Sequence, residues 1–249
     1  MKPLLSILLI SLLSFYSVSL QKNSNMKPYK NKPKKNYQFQ SDRIPEFFDS
    51  RVNFSGCIHL TDNYSSCGSD FAIAAASMLS DRLCIQTNHK YNFLLSAQEI
   101  INCDVDETQC KGNGEDVFDF LTLHGIPSND CVHYTNIGPG QCNEKSCTNT
   151  SISYIPYKCN PESVATLTNP YDIKREIMAN GPVYAEFDLY DDFEGYHSGV
   201  YFRMSSKIIG TKAVKIVGWG SENANYYWIC ANNKGYRWGE EGYFRISIS

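Results

Sequence analysis

The stretch S-C-G-S-D-F-A-I-A-A-A-S-M-L-S-D-R-L, residues 66–83, is the most informative segment of the chain. From residue 71 onward its apolar side chains recur at helical spacing, which predicts a helix over 71–83. The positions that form this stripe are Phe71, Ala74, Ala75, Met78, Leu79 and Leu83. Asp70 stands at the start of the helix, where the positive end of the helix dipole stabilises a carboxylate.

The size and charge of the chain limit its function. The 249 residues are enough for one large domain, or for two lobes that share a core and enclose a cleft. The net charge is −3 and the pI is near 6.0. Nucleic-acid-binding proteins usually present a basic face, so we expect no nucleic-acid partner.

The N-terminus predicts entry into the secretory pathway. Lys2 precedes an apolar run over 4–20, and the small residues Ser17 and Ser19 fit a cleavage site, so residues 1–19 are predicted to be a signal peptide. A membrane anchor is the alternative, but serines interrupt the run. Residues 20–43 form a short basic segment, pro-like or disordered, and 44–249 form one folded unit without a membrane span.

The ten cysteines are even in number, which is typical of disulfides in an oxidising compartment. Their spacing lacks the short-gap pairs and histidines of a zinc site, so we predict no metal and no cofactor. N-glycosylation triplets begin at Asn53, Asn63 and Asn149. We therefore expect a disulfide-bonded secreted glycoprotein.

Three more helices are predicted. Ser96 and Glu99 fit a capping box ahead of an apolar pair, residues 115–123 form a second helix, and Asp172 caps a third that ends before Gly181. Alternating or short apolar segments then predict strands over 183–189, 200–202, 213–217, 226–231 and 243–248. A helical half followed by a β half indicates an α+β chain in two lobes with a cleft between them.

The chain resembles cathepsin B-like members of the papain family of cysteine peptidases over nearly all of 44–249. The matching segments, in family order, are IPEFFDSR (44–51), SCGS (66–69), SDRLC (80–84), LSAQE (95–99), NGPV (180–183), SGVY (198–201), AVKIVGWG (213–220) and WGEEGYF (238–244). The resemblance implies a papain-like two-lobed fold, with a helical left lobe, a β-barrel-like right lobe and the cleft between them. It also implies an extracellular location or a lysosomal, vacuolar or granule lumen.

The resemblance places non-catalytic residues at the positions of the two reactive groups. Asp70 occupies the position of the nucleophilic cysteine, and Lys212 that of the general-base histidine. A carboxylate attacks an amide poorly, because the resulting anhydride reverts more readily than it expels an amine. Asp70 and Lys212 would keep the negative-to-positive pairing of a thiolate with an imidazolium, but without its reactivity.

The supporting positions are also changed. Asn232 matches the asparagine that orients the base, but Tyr64 stands in place of the oxyanion-hole glutamine. Lys234 replaces a tryptophan that shields the site, whereas Trp238 retains the second tryptophan. The remaining residues that the resemblance assigns to the cleft are Cys67, Gly68, Ser69, Gly112, Asn113 and Gly114.

The resemblance further implies disulfides between Cys57 and Cys84 and between Cys67 and Cys110. Two more bridges are expected among Cys103, Cys131, Cys142 and Cys147. Cys159 and Cys230 are left either paired or as buried thiols.

Three functions remain open. The first is a pseudoenzyme whose cleft binds an extended peptide, a protease inhibitor or another secreted protein. The second is a structural or storage glycoprotein of a granule or matrix. The third is an altered hydrolase in which Asp70 is nucleophile or base, with Lys212 and Tyr64 as proton donors or anion stabilisers.

Overall fold

The computed structural model describes residues 6–9, 43–60, 68–104, 112–136, 138–143 and 145–248. Its helices are α1 (Ser50–Asn53), α2 (Asp70–Gln86), α3 (Ala97–Cys103), α4 (Gly114–Leu123) and α5 (Pro170–Asn180). Helix α2 begins at Asp70, and every side chain from Phe71 to Cys84 is buried. A helix that is buried on all sides lies in the middle of a core, so the predicted helix over 71–83 is the central one.

Two predicted helix caps differ from the structure in their partners. The Ser96 hydroxyl accepts the Glu99 N–H, as in a capping box, but the Ser96 N–H donates to the Pro127 carbonyl instead of Glu99. The prediction that Asp172 caps α5 was wrong. Asn169 is the cap and accepts the N–H of Tyr171, because Pro170 starts the helix and leaves Asp172 in its first turn.

The strands are β1 (Ser6–Leu9), β2 (Phe48–Asp49), β3 (Ala165–Leu167), β4 (Val183–Tyr190), β5 (Val200–Tyr201), β6 (Ile208–Glu222), β7 (Asn225–Ala231) and β8 (Tyr243–Ser247). They form one sheet in the order β3-β1-β4-β6-β7-β8-β5, with β2 also paired to β6. Strand β6 is far longer than the predicted 213–217, because its whole length pairs with β4 on one side or β7 on the other.

Strand β1 lies between β3 and β4 and pairs antiparallel with both. It falls within the predicted signal peptide, whose cleavage stays a prediction. No helix of the described residues combines the length and the apolar character needed to cross a bilayer.

The buried side chains form a helical core and a sheet core, as the predicted α+β, two-lobed architecture requires. The first core centres on α2, α3 and α4, and the second on β4, β6, β7 and α5. Two buried ion pairs link α2 to the second half of the chain: Arg82 lies 2.9 Å from Glu176, and Lys215 lies 2.6 Å from Asp81. Helix α2 therefore packs in the helical core and is also bound by ion pairs to α5 and β6.

Three disulfides occur in the described part of the chain. The predicted Cys57–Cys84 bridge is present, and the second group pairs as Cys103–Cys142 and Cys131–Cys147. Cys159 and Cys230 are buried free thiols, and burial raises the pKa of both well above the usual range. The predicted Cys67–Cys110 bridge lies outside the described residues.

The candidate glycosylation sites lie at the surface where they are described. Asn53, at the end of α1, and Asn149 are exposed. Asn63 lies outside the described residues. Glycosylation itself remains a prediction.

Candidate active site

Asp70 is the first residue of α2, after Ser69 at the N-cap. Its side chain retains 24% of its exposure, so the carboxylate is partly accessible to solvent. The free N–H groups of a helix start favour a negative charge at this position. The local structure therefore stabilises the carboxylate that replaces the expected thiol.

Lys212 lies in β6, paired with Phe187 of β4, and its side chain is only 5% exposed. Its Nζ lies 2.8 Å from Oδ2 of Asp70, so the two residues predicted to form a charge pair do meet. A charge this well buried is stable only when it is paired and hydrogen-bonded.

Asn233 completes the site and was not predicted from the sequence. Its Oδ1 accepts a hydrogen bond of 3.2 Å from Lys212 Nζ, and its Nδ2 donates to Oδ1 of Asp70. Each of the three side chains therefore bonds to the other two. The only signal for Asn233 in the sequence is its position beside Asn232.

Asn232, the residue predicted to match the family's asparagine, has a different role. Its Oδ1 accepts the N–H of Asn233 at 2.9 Å, whereas its buried Nδ2 has no hydrogen-bond partner among the described residues. It borders a cavity of about 10 Å³ that Asp70, Ser77 and Lys215 also line. This cavity is about the size of one water and does not fit a substrate side chain.

A second contact covers the start of α2. The hydroxyls of Ser69 and Tyr134 lie 2.9 Å apart, although 65 positions separate them. Burial raises the pKa of Tyr134, and the Asp70 charge raises it further, whereas the bond to Ser69 lowers it. Tyr134 is therefore a neutral group beside Asp70. Nothing in the sequence marked it as part of the site.

The predicted cleft wall at residues 112–114 is tied to both lobes. Gly112 packs so closely on the Phe71 ring that a Cβ there would collide with it. Asn113 caps α4 by accepting the N–H of Asp116. The Gly114 N–H donates to Glu186 Oε1 at 2.8 Å, so the protein itself already uses this backbone donor.

Glu186 is a further polar group at this wall that the sequence did not reveal. It accepts the Tyr184 hydroxyl as well as the Gly114 N–H. Burial is the main reason that the pKa of Tyr184 lies well above its usual value, and the nearby Glu186 charge raises it further. Glu186 therefore joins β4 to the start of α4.

Lys234 and Trp238 lie together, beyond Asn233. The Lys234 Nζ lies 5.9 Å from the centre of the Trp238 ring and 3.2 Å from Glu194 Oε2. Trp238 packs against the rings of Phe193 and Tyr196. The lysine that replaces the expected shielding tryptophan thus rests on the remaining one.

Two predicted positions cannot be placed. Tyr64 and Cys67 lie outside the described residues, whereas Gly68, just before Ser69, is exposed. One described group of potential metal ligands, Cys57, Cys84 and His89, contains two cysteines that form a disulfide. Sulfurs bonded to each other do not supply the thiolates that a metal needs.

A second buried lysine helps to interpret the first. Lys215 Nζ contacts Asp81 at 2.6 Å, Ser77 Oγ at 2.7 Å and the His59 carbonyl at 2.6 Å. Burial lowers the pKa of Lys215, although Asp81 opposes this shift. Both buried lysines of β6 thus pair with aspartates of α2, and Lys212 alone of the two bonds a side-chain amide.

Comparison with known proteins gives consistent matches. The sequence profile described as papain family cysteine protease matches residues 44–249. The chain is 32% identical over 227 residues to a gut-specific cysteine proteinase of Caenorhabditis elegans, covering 82% of this chain and 68% of the relative. It is 34% identical over 233 residues to a cathepsin B-like cysteine proteinase of Schistosoma japonicum, covering 82% and 68%.

Solved structures show the same similarity. Procathepsin B S9 from Trypanosoma congolense matches with a TM-score of 0.75 and 32% identity, covering 83% of this chain and 73% of that one. A digestive procathepsin L2 from Tenebrio molitor matches with a TM-score of 0.69 and 28% identity, covering 83% and 64%.

Proposed function

The chain belongs to the papain family of cysteine proteases, and we propose that it is a secreted, cathepsin B-like member that binds ligands at its cleft without cleaving peptide bonds. The observation that carries this proposal is the closed arrangement of Asp70, Lys212 and Asn233. Peptide hydrolysis in this family is expected to need a thiolate at the position of Asp70 and an imidazole at the position of Lys212.

The chemistry of the two replacements supports inactivity. The Asp70 carboxylate bonds to an ammonium and an amide, and both hydrogen bonds reduce its nucleophilicity. Lys212 donates hydrogen bonds to Asp70 and Asn233 and has no lone pair available while it remains an ammonium. An altered hydrolase would have to break this network before either group could act.

The ligand that we propose is an extended peptide, including the peptide-like segment of a protease inhibitor. Such a segment can add to a cleft wall by strand-like backbone hydrogen bonds. Gly112 packs against the Phe71 ring, which holds the backbone of the wall at this position. Because Glu186 already binds the Gly114 N–H, the peptide would bond at Gly112 and not at Gly114.

We also propose that the protein acts after secretion, outside the cell or in a lysosomal or granule lumen. The three disulfides of the described residues support an oxidising environment. Secretion can be tested by sequencing the N-terminus of the exported protein. Cleavage near Ser19 is expected, and retention of residues 1–19 would contradict the signal-peptide prediction.

The experiment that tests inactivity compares the wild type with the triple variant Asp70→Cys, Lys212→His, Tyr64→Gln on a fluorogenic peptide. We expect no turnover by the wild type and measurable turnover by the variant. Asp70→Cys alone is the matched control, because its thiol faces a lysine and not an imidazole. Wild-type turnover equal to that of the triple variant would refute the proposal.

Ligand binding needs its own experiment. Calorimetry should detect binding of an extended peptide inhibitor to the wild type and weaker binding to Gly112→Ala, because the added methyl displaces Phe71 at the wall. Gly210→Ala, at a glycine with open space around it, is the control. If the wild type binds no such inhibitor, the alternative of a structural or storage glycoprotein gains support.

A further inference from the structure

We propose that Lys212 and Asn233 become joined by an amide bond between their side chains, formed without another enzyme, with Asp70 as the proton carrier. The proposal concerns a covalent modification and goes beyond cleft binding. It rests on the arrangement of an amine, a carboxamide and a carboxylate that each contact the other two.

The amine lies close to the group that it would attack. Lys212 Nζ is 3.2 Å from Asn233 Oδ1, the oxygen bonded to the carbonyl carbon Cγ. This contact places the amine beside the carboxamide whose carbon it would attack, and holding two reacting groups together in one site gives much of the advantage of an intramolecular reaction. Lys212 and Asn233 are 4% and 7% exposed, so both are held in place and shielded from competing water.

Asp70 is placed to move protons between the two nitrogen atoms. Its Oδ2 accepts a hydrogen bond from Lys212 Nζ, and its Oδ1 accepts one from Asn233 Nδ2. One carboxylate therefore contacts both the nitrogen that must lose protons and the nitrogen that must gain them. This is the geometry of a general base that then acts as a general acid.

The step balances without an oxidant, a reductant or a further reactant. Asp70 takes a proton from the Lys212 ammonium, and the free amine attacks Asn233 Cγ. The Nζ–Cγ bond forms and the Cγ–Nδ2 bond breaks. The two protons that Nζ loses pass through Asp70 to Nδ2, which leaves as ammonium, and Asp70 returns to its carboxylate form.

The bond would fasten the start of the loop after β7 to the middle of β6. Lys212 lies within β6, and Asn233 follows Ala231, the last residue of β7. It would also consume the lysine that replaces the general base, so the crosslinked chain has no free amine at that position. Hydrolysis by Asp70 and Lys212 would then be excluded.

Lys215 provides a control within the same molecule. It is buried in the same strand and paired with Asp81, but its hydrogen-bond partners among the described residues are a carboxylate, a hydroxyl and a backbone carbonyl, with no side-chain amide. Burial beside an aspartate is common to both lysines. A crosslink at Lys212 alone would therefore be due to Asn233.

The test is mass spectrometry of the purified, deglycosylated, reduced and denatured protein. We expect a mass lower than the sequence requires by about 17 Da, the mass of ammonia. After protease digestion, one crosslinked peptide should contain Lys212 and Asn233. Amine acetylation under denaturing conditions should modify Lys215 and leave Lys212 unmodified.

Two variants identify the participating groups. Lys212→Arg, which cannot form the amide, and Asp70→Asn, which cannot carry the protons, should both have their full sequence masses. The wild-type measurement decides the proposal even if a variant misfolds. A wild type with its full mass and an acetylated Lys212 would overturn it, and a loss of about 18 Da with a Lys212–Asp70 link would overturn the assignment to Asn233.

Discussion

Lys212 Nζ lies 2.8 Å from Oδ2 of Asp70, although 142 positions separate the two residues in the chain. The contact joins the first residue of the central helix to the longest strand of the sheet. An active papain-like site places a thiolate against an imidazolium, and here a carboxylate faces an ammonium with the same order of charges. The lobes are thus held by a charge pair that lacks the reactive sulfur.

Removing the cation should destabilise the fold. Compared with the uncrosslinked chain, Lys212→Met leaves Asp70 facing a buried apolar chain. Loss of one partner of a buried pair costs roughly 3–5 kcal/mol of unfolding free energy, with the lower end expected because Asp70 is partly exposed. Urea unfolding measures the change. Lys207→Met is the control, since Lys207 pairs with Asp191 at 3.7 Å on the surface and should cost below about 1 kcal/mol. Equal losses of unfolding free energy in both variants would show that the Asp70–Lys212 pair stabilises the fold no more than a surface pair does.

The Arg82–Glu176 pair should contribute at least as much to the free energy of unfolding. Arg82 donates to Glu176 Oε1 and to the carbonyls of Gly181 and Pro182, and both side chains are fully buried. Glu176→Ala leaves the guanidinium unpaired in the core, so we expect a loss of about 3–5 kcal/mol. Glu162→Ala, at an exposed position, should stay within about 0.5 kcal/mol. A mild effect of Glu176→Ala in urea unfolding would contradict this account of how α5 is attached.

Ionisation of Asp104 should lower the stability of the protein as the pH rises from about 4 to about 7. Burial, with the charges of Asp116 and Asp119, raises the pKa of Asp104 to about 7 in the folded protein, above its usual value of 3.8. Because the folded state then binds the proton more tightly than the unfolded state, the contribution is fully present below pH 3.8 and is lost as the pH rises through 7.

Asp104→Asn should remove this dependence and stabilise the protein at pH 8. We expect a gain of about 1–2 kcal/mol, less than the full shift implies because solvent screens a partly exposed group. Thermal unfolding at pH 4 and pH 8 measures both effects. A variant that shows the same pH dependence as the wild type would assign it to another group.

The two buried thiols should be unreactive in the native protein. Burial raises the pKa of Cys159 and Cys230, so little thiolate is available at neutral pH. Iodoacetamide labelling followed by peptide mapping should leave both unmodified until denaturant is added. Rapid native labelling of either residue would contradict its burial.

The disulfide between Cys131 and Cys147 closes a loop of 16 positions and should contribute about 2–4 kcal/mol. The double variant Cys131→Ser, Cys147→Ser should unfold at correspondingly lower urea. Cys159→Ser, which removes no bridge, controls for the loss of a buried sulfur. Unchanged stability in the double variant would show that packing alone orders this loop.

The sequence predicts the features that depend on local pattern. The apolar stripe after Asp70 predicted α2, and the alternation after Val183 predicted β4, because side-chain periodicity follows backbone geometry directly. The meeting of Asp70 and Lys212 was expected only through the resemblance to a family. A pattern of spacing alone does not bring together residues 142 positions apart.

The missed features depend on side-chain directions that are set by tertiary packing. Asn233 and not Asn232 bonds to Lys212, because the chain leaves β7 with Asn232 turned toward its own backbone. Tyr134 reaches Ser69 from a loop with no regular pattern. The cap of α5 is a different case. Asn169 followed by Pro170 is a sequence pattern typical of a helix start, but Asp172 was chosen as the cap instead.

The absence of peptidase activity is best tested by incubating a diverse peptide mixture with the pure wild-type protein and identifying new termini by mass spectrometry. We expect no new termini above those in buffer, at neutral and at acidic pH, whereas the triple variant Asp70→Cys, Lys212→His, Tyr64→Gln should generate them. Reproducible cleavage by the wild type that disappears in Asp70→Ala or Lys212→Ala would contradict this expectation.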